Sequence, residues 1–135
     1  MDVAILDTDM VNEVLKHKHA QVKKRATAYL RRYRKFAISA ISRYEVLRGL
    51  KEKQATNQLA GFHIFCAHSL VLPVSDAILD RAADLWVEAR RTGRSHADAD
   101  LIIAATALVN QRTLVTGNTS HFDWVAGLAL TDWRS

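Results

Sequence analysis

A chain of 135 residues that is 49% apolar holds material for one buried core and too little for two domains, so residues 1–135 read as a single domain. No stretch approaches the ~20 consecutive apolar residues that span a bilayer, the opening residues lack the charged-then-apolar build of an export signal, and a lone cysteine, Cys66, excludes an internal disulfide. The cytoplasm is therefore the expected compartment, and a net charge of +5 with a pI of about 9.7 suits an anionic partner such as nucleic acid without requiring one.

In chain order, Val3-Ala4-Ile5-Leu6 is a short apolar run that reads as a buried strand ending at Asp7. Thr8 to about Tyr33 reads as two helices broken between His17 and Ala20. Here Lys16, Lys18, Lys23, Lys24, Arg25, Arg31, Arg32, Arg34 and Lys35 crowd together, as a solvated face or as a track for an anionic polymer. Phe36-Ala37-Ile38 is a second strand, residues 42–53 and 56–68 are helical, and Leu70-Val71-Leu72 is a third strand stopped by Pro73. Ser75 caps a helix with apolar positions at Ile78, Leu79, Ala82, Ala83, Leu85 and Trp86, closed by Gly93; this places Trp86 in the core. An apolar helix spans about 97–110, Thr113-Leu114-Val115 is a fourth strand, and a final one lies near residues 128–130. Short apolar strands alternating with longer helices predict an α/β layer fold on a mostly parallel sheet covered on both faces. Ligands of such sheets sit beyond the carboxyl ends of the strands, where Asp7 and Asn118 fall.

Three acids close an apolar run or open an apolar helix: Asp7, Glu45 and Asp100. Each has an ordinary structural reading. Asp7 would cap the helix after the first strand. Glu45 lies three residues after Ser42, the spacing of a capping box. Asp100 sits in a first helical turn, which favours any carboxylate. If the fold gathers them into one crevice, they repel, and one must take a proton unless a cation joins them. A hard divalent ion removes that repulsion, and hydrolysis of a phosphodiester by metal-activated water then needs no Ser-His pair or cysteine nucleophile. Asp98 and Asp100 point about 200° apart on a helix, so both cannot face one site from regular helix. Ser95 to Asp98 also has capping-box spacing, which leaves Asp98 a helix-start residue or a secondary ligand. Thr116 is a further candidate for orienting a ligand or a water, although hydroxyls after strands more often bond backbone.

At this point the residues resemble a known family. Ile5-Leu6-Asp7-Thr8-Asp9, the segment Ile38 to Gly49 with Glu45, the helix Asp98-Ala99-Asp100-Leu101-Ile102-Ile103-Ala104-Ala105-Thr106-Ala107, and Leu114-Val115-Thr116-Gly117-Asn118-Thr119-Ser120-His121-Phe122 with the following Gly127-Leu128 and Asp132-Trp133 look like the four motifs of PIN-domain ribonucleases. Within that family they resemble the VapC-type toxins of bacterial toxin–antitoxin pairs. The resemblance covers nearly the whole chain in order. It implies a PIN-like three-layer α/β/α fold and an endoribonuclease that cleaves single-stranded RNA. The cofactor would be Mg²⁺, with Mn²⁺ as a substitute, held by Asp7, Glu45 and Asp100, with Asn118 in the fourth catalytic position. It also implies a VapB-type antitoxin partner and a homodimer. Asp9 stands where asparagine is commoner and is not counted as a ligand.

Two other readings compete. Asp7-Thr8-Asp9-Met10-Val11 fits the opening of haloacid-dehalogenase-type phosphatases, with Asp7 as nucleophile and Asp9 as general acid. A basic RNA-binding module without catalysis would account for the charge alone. His17, His19 and His96 are metal ligands by residue type but more ordinary as lone surface histidines, and Cys66 reads as a small core residue.

Overall fold

The first four strands are only three residues each (Ala-Ile-Leu, Ala-Ile-Ser, Leu-Val-Leu, Thr-Leu-Val), nearly all apolar and therefore suited to burial on both faces rather than one. The computed structural model, which describes residues 1–135 throughout, arranges them accordingly. The elements run β1 (Ala4–Leu6), α1 (Thr8–Lys16), α2 (Ala20–Tyr33), β2 (Ala37–Ser39), α3 (Ala40–Glu52), α4 (Thr56–Ala67), β3 (Leu70–Leu72), α5 (Asp76–Arg91), α6 (Asp98–Val109), β4 (Thr113–Val115) and β5 (Leu130–Thr131). A short 3-10 turn at Thr119–His121 lies between the last two strands. The sheet order is β3-β2-β1-β4-β5 and all four pairings are parallel.

Alternation along the strands divides the interior in two. Ile5, Ala37, Leu72 and Leu114 point to one face, where Ile78, Ala82 and Leu85 of α5 and Leu101, Ile103 and Ala104 of α6 cover them. Ala4, Leu6, Ile38 and Val115 point to the other, against Met10, Val11, Val22, Tyr29, Val46, Phe62 and Trp133. This is the expected α/β/α sandwich. The Tyr29 hydroxyl crosses the second layer to accept from the Ala4 backbone N–H at 2.9 Å, pinning α2 to the central strand. In α6, Leu101 and Ile103 to Ala107 are all buried, as suits a helix enclosed on several sides. Its one buried hydroxyl, on Thr106, donates to the Ile102 carbonyl at 2.7 Å.

Several local expectations are corrected. No loop separates β2 from α3, so the cap falls on Ser39, whose Oγ accepts from Ile41 N at 3.1 Å. Ser42 is already inside the helix and buried, and no Ser42–Glu45 capping box forms. Ala97 occupies the cap position of α6 without a side-chain bond, so Ser95 and Asp98 form no capping box either. The buried stripe of α5 is Ile78, Ala82, Leu85 and Ala89. Trp86, one residue past Leu85, turns about 100° away from it; it is 44% exposed, with the Arg90 guanidinium 4.7 Å from its ring centre. The last strand forms two residues later than expected. His17 and His19 have local duties: His17 ends α1 in the left-handed conformation, and His19 Nδ1 accepts from Val22 N at the start of α2.

Candidate active site

From β1 the chain builds β2 and β3 on one side, then returns through α5 and α6 to lay β4 on the other side of β1. Connections therefore leave β1 and β4 in opposite directions, and a crevice opens between their carboxyl ends. Register places Leu6 beside Val115, and Asp7 N donates to Val115 O at 3.0 Å, so Asp7 and Thr116 are the first residues past the paired ends.

Asp7 is only 6% exposed. Its Oδ1 accepts from Met10 N at 2.8 Å, the cap expected of it, and the Thr116 hydroxyl also bonds to its carboxylate. Thr116 Oγ1 in turn accepts from Asn118 N at 3.0 Å. Burial pushes the Asp7 pKa from 3.8 up to about 6, despite the Thr116 and Met10 bonds that favour the anion; Asp9 and Asp100 add repulsion in the same upward direction. No cationic side chain pairs with Asp7.

Asp100 enters from the first turn of α6, half-exposed, with Oδ2 3.1 Å from His121 Nε2. Glu45 projects from α3. Thr8 Oγ1 lies 2.7 Å from its Oε1 and 3.0 Å from Ser42 Oγ. A hydroxyl has one proton, and the carboxylate takes it, leaving the Ser42 contact to the Ser42 proton. The far oxygen, Oε2, is 3.6 Å from Arg48 Nη2. Asn118 is exposed; its Oδ1 accepts from Ser120 Oγ at 3.2 Å. With Asp9, Asn12, Glu13, Lys16 and Arg134 it lines a polar cavity of about 420 Å³. Gly117 forms part of that wall, and an added Cβ there would overlap the Arg134 guanidinium, which donates to the Gly117 carbonyl. A larger cavity of about 630 Å³ opens at the other ends of the strands, around Val3, Thr113 and Arg112, with Asp2 as its only acid.

The fold thus brings Asp7 and Asp100 within electrostatic reach of one another, with Asp9 beside them, and ties Glu45 to Thr8 and Arg48. It does not preassemble a cage: no group of three or more His, Cys, Asp or Glu side chains is positioned to hold a metal ion. The donors still fit a hard cation in type, since all are oxygens and the buried Asp7 has no counter-charge. Mg²⁺ in particular is usually held by one or two carboxylates and completes its shell with water and phosphate. Asp98 is exposed and unpaired at the start of α6.

Thr8, Ser42 and His121 stand within the sequence motifs, but sequence reasoning assigned none of them a role at the site. The Ser-x-x-Glu spacing taken for a cap is also the i,i+3 spacing that puts two side chains on one helical face, and that second meaning holds here. His96, read as a lone surface histidine, stands with its Nδ1 3.1 Å from His121 Nε2 and its ring stacked on Trp124. Burial, and next the neighbouring His121, lower its pKa. Cys66 is partly buried against the second core, and burial raises its thiol pKa, which leaves it unsuited to nucleophilic work. Asp9 lies in the first turn of α1 and is exposed, so the two acids of the phosphatase reading fall in different settings, Asp7 at the buried cap and Asp9 on the helix surface.

Comparison with known proteins agrees with this frame. The PIN domain model matches residues 4–128. The chain is 29% identical over 130 residues, 96% of either protein, to the tRNA(fMet)-specific endonuclease VapC of Shigella flexneri. Its fold is similar to that in the DNA-bound VapBC of Salmonella typhimurium (TM-score 0.87, 25% identity, 98% of this chain and 99% of that one). It is equally similar to VapBC2 of Rickettsia felis bound to a promoter DNA fragment (TM-score 0.87, 23% identity, 97% and 98%). Nucleases of this kind generally depend on a divalent metal. With the model match covering all but the two ends of the chain and the acidic crevice lying at its switch point, the protein belongs to the PIN-domain family.

Proposed function

We propose that this chain is a metal-dependent endoribonuclease that cuts single-stranded RNA, acting as one domain over residues 1–135. We further propose that it is the toxin of a VapB–VapC type pair in the cytoplasm. The observation that carries the catalytic reading is the buried, unpaired Asp7 carboxylate at the β1/β4 crevice, with Asp100 within electrostatic reach of it. Mg²⁺ is the proposed cofactor, with Mn²⁺ as its substitute. When bound, such a cation supplies positive charge and Lewis acidity against the scissile phosphate.

The chain's own residues do the rest. Asp7 and Asp100 would hold the cation, with Glu45 completing the acidic set. Glu45 is also the group suited to take the proton of the attacking water, because Thr8 fixes one of its oxygens. Asn118, with no charge of its own, and Thr116 orient the loop beside them. Asp98 is at most an outer contributor. Of the basic residues on α1 to α4 only Lys16 and Arg48 are in ion pairs, and the exposed Lys23, Lys24, Arg31 and Lys51 are placed to steer an RNA backbone. No helix is long and apolar enough to cross a membrane.

The partner proposal rests on likeness to the VapBC complexes. Co-expression with the product of an adjacent short reading frame should yield a complex that cuts no RNA, and a homodimer is expected in solution. The catalytic test is incubation of the chain with single-stranded RNA and Mg²⁺, with and without EDTA. Cleavage should stop with EDTA and should leave 5′-phosphate ends. Products ending in 2′,3′-cyclic phosphate would defeat the water mechanism. RNA binding without any cleavage would instead favour the non-catalytic module.

A further inference from the structure

We infer that His121 is a positioning residue for Asp100: its Nε2–H holds one carboxylate oxygen so that the other is presented to the divalent cation. This rests on the metal-nuclease reading above and adds a residue to it.

The geometry fixes the roles. Asp100 Oδ2 lies 3.1 Å from His121 Nε2, and an ionised carboxylate can only accept, so Nε2 carries the hydrogen. The same Nε2 faces His96 Nδ1 at 3.1 Å, which must then offer a lone pair. The His96 proton is therefore on its own Nε2, the one buried side-chain polar atom in the chain without a partner. Seating His96 this way has a cost, and what the seat provides is a second wall against His121. The two rings meet edge to face at 4.4 Å. Trp124 stacks on His96 at 5.0 Å and donates its indole N–H to the His121 carbonyl at 3.0 Å. Phe122 and Val125, both buried, anchor the same turn in the core. His121 is thus held through its backbone and its ring, with its Nε2 directed at Asp100.

A carboxylate at the start of a helix, half-exposed, would otherwise rotate freely. Hydrogen bonds of this kind orient metal-binding groups, and removing them typically weakens metal binding by roughly 10–100-fold.

The test uses the full chain with Mn²⁺ alone, by isothermal titration calorimetry, and cleavage of a single-stranded RNA oligonucleotide over a range of Mn²⁺ concentrations. His121→Phe should weaken Mn²⁺ binding roughly 10–100-fold and move the metal dependence of cleavage by the same factor. High Mn²⁺ should then recover most of the lost rate. His121→Gln, which keeps an N–H donor, should restore binding; a purely packing role would not predict that rescue. If His121→Phe fails to fold by circular dichroism, His121→Ala takes its place. Unchanged or tighter Mn²⁺ binding in the folded variant overturns the inference while leaving the nuclease reading intact. A wild type that neither binds Mn²⁺ nor cuts RNA overturns both.

Discussion

Asp7 and Glu45 are the same functional group in two opposite settings. Asp7 ends a buried strand, has no cationic neighbour, and is pushed up to a pKa of about 6 by burial and by other acids. Glu45 stands on a helix flank, a fifth exposed at its side chain, with a hydroxyl on one oxygen and Arg48 near the other. One carboxylate has no cationic partner in the chain; the other has a hydroxyl and a solvent-screened guanidinium beside it. A hydrolytic site needs both kinds, a charge that draws a cation and a carboxylate that keeps its aim while it takes a proton.

The comparison breaks most easily at Asp7. Asp7→Asn should reduce metal-dependent cleavage to background in an RNA assay, as should Asp100→Asn. The same Asp7 variant should be more stable than the wild type without metal. Asn keeps the acceptor for Met10 N but removes the buried charge. In the folded protein Asp7 holds its proton up to about pH 6, and in the unfolded chain only to about 3.8. Between those values the folded state binds more protons, so stability falls as pH rises through the window. Above it the full penalty, on the order of 3 kcal/mol, applies. Thermal melts in EDTA should therefore show Asp7→Asn several degrees above wild type at pH 7.5. The gain should vanish near pH 4. Adding Mn²⁺ should raise the wild-type midpoint and leave the variant unmoved. A variant no more stable at pH 7.5 would mean that the Asp7 charge is already compensated.

Glu45→Gln sharpens the contrast. Gln can still accept from Thr8 but cannot take a proton, so cleavage should fall about 10²–10⁴-fold. Calorimetry should find Mn²⁺ affinity less affected than in Asp7→Asn. Equal losses of affinity in the two variants would make Glu45 a direct ligand of the same rank.

How much of this was legible in the sequence follows from the range of each cause. Strand and helix order, and Asp7 at a strand end, depend on local apolar runs and were readable. The position of Asp7 beside Thr116 depends on parallel pairing across more than a hundred residues, and only the family resemblance carried it. Ser39 and Ser42 compete for one cap, and nothing local reveals that β2 enters α3 without a loop. Trp86 was misplaced because a position one residue off a buried stripe is still apolar in pattern. His121 gains its role from a turn that brings it to residues 96 and 100, in a segment without periodicity.

The smallest effects lie in the supports of Glu45. Thr8→Val keeps the shape of the side chain and removes the hydroxyl, leaving the buried Ser42 hydroxyl to find another partner. A loss of about 1 kcal/mol in denaturant unfolding is expected. Cleavage should fall roughly 10-fold, because Glu45 keeps its charge and loses its aim. Arg48→Ala removes an ion pair that is largely in water, worth less than about 1 kcal/mol and weakened by salt. If Thr8 sets the direction of the carboxylate, Arg48→Ala should leave both stability and cleavage nearly unchanged while Thr8→Val does not. The reverse order would mean that Glu45 is held by charge, and that its likeness to a guided base is an accident of one rotamer.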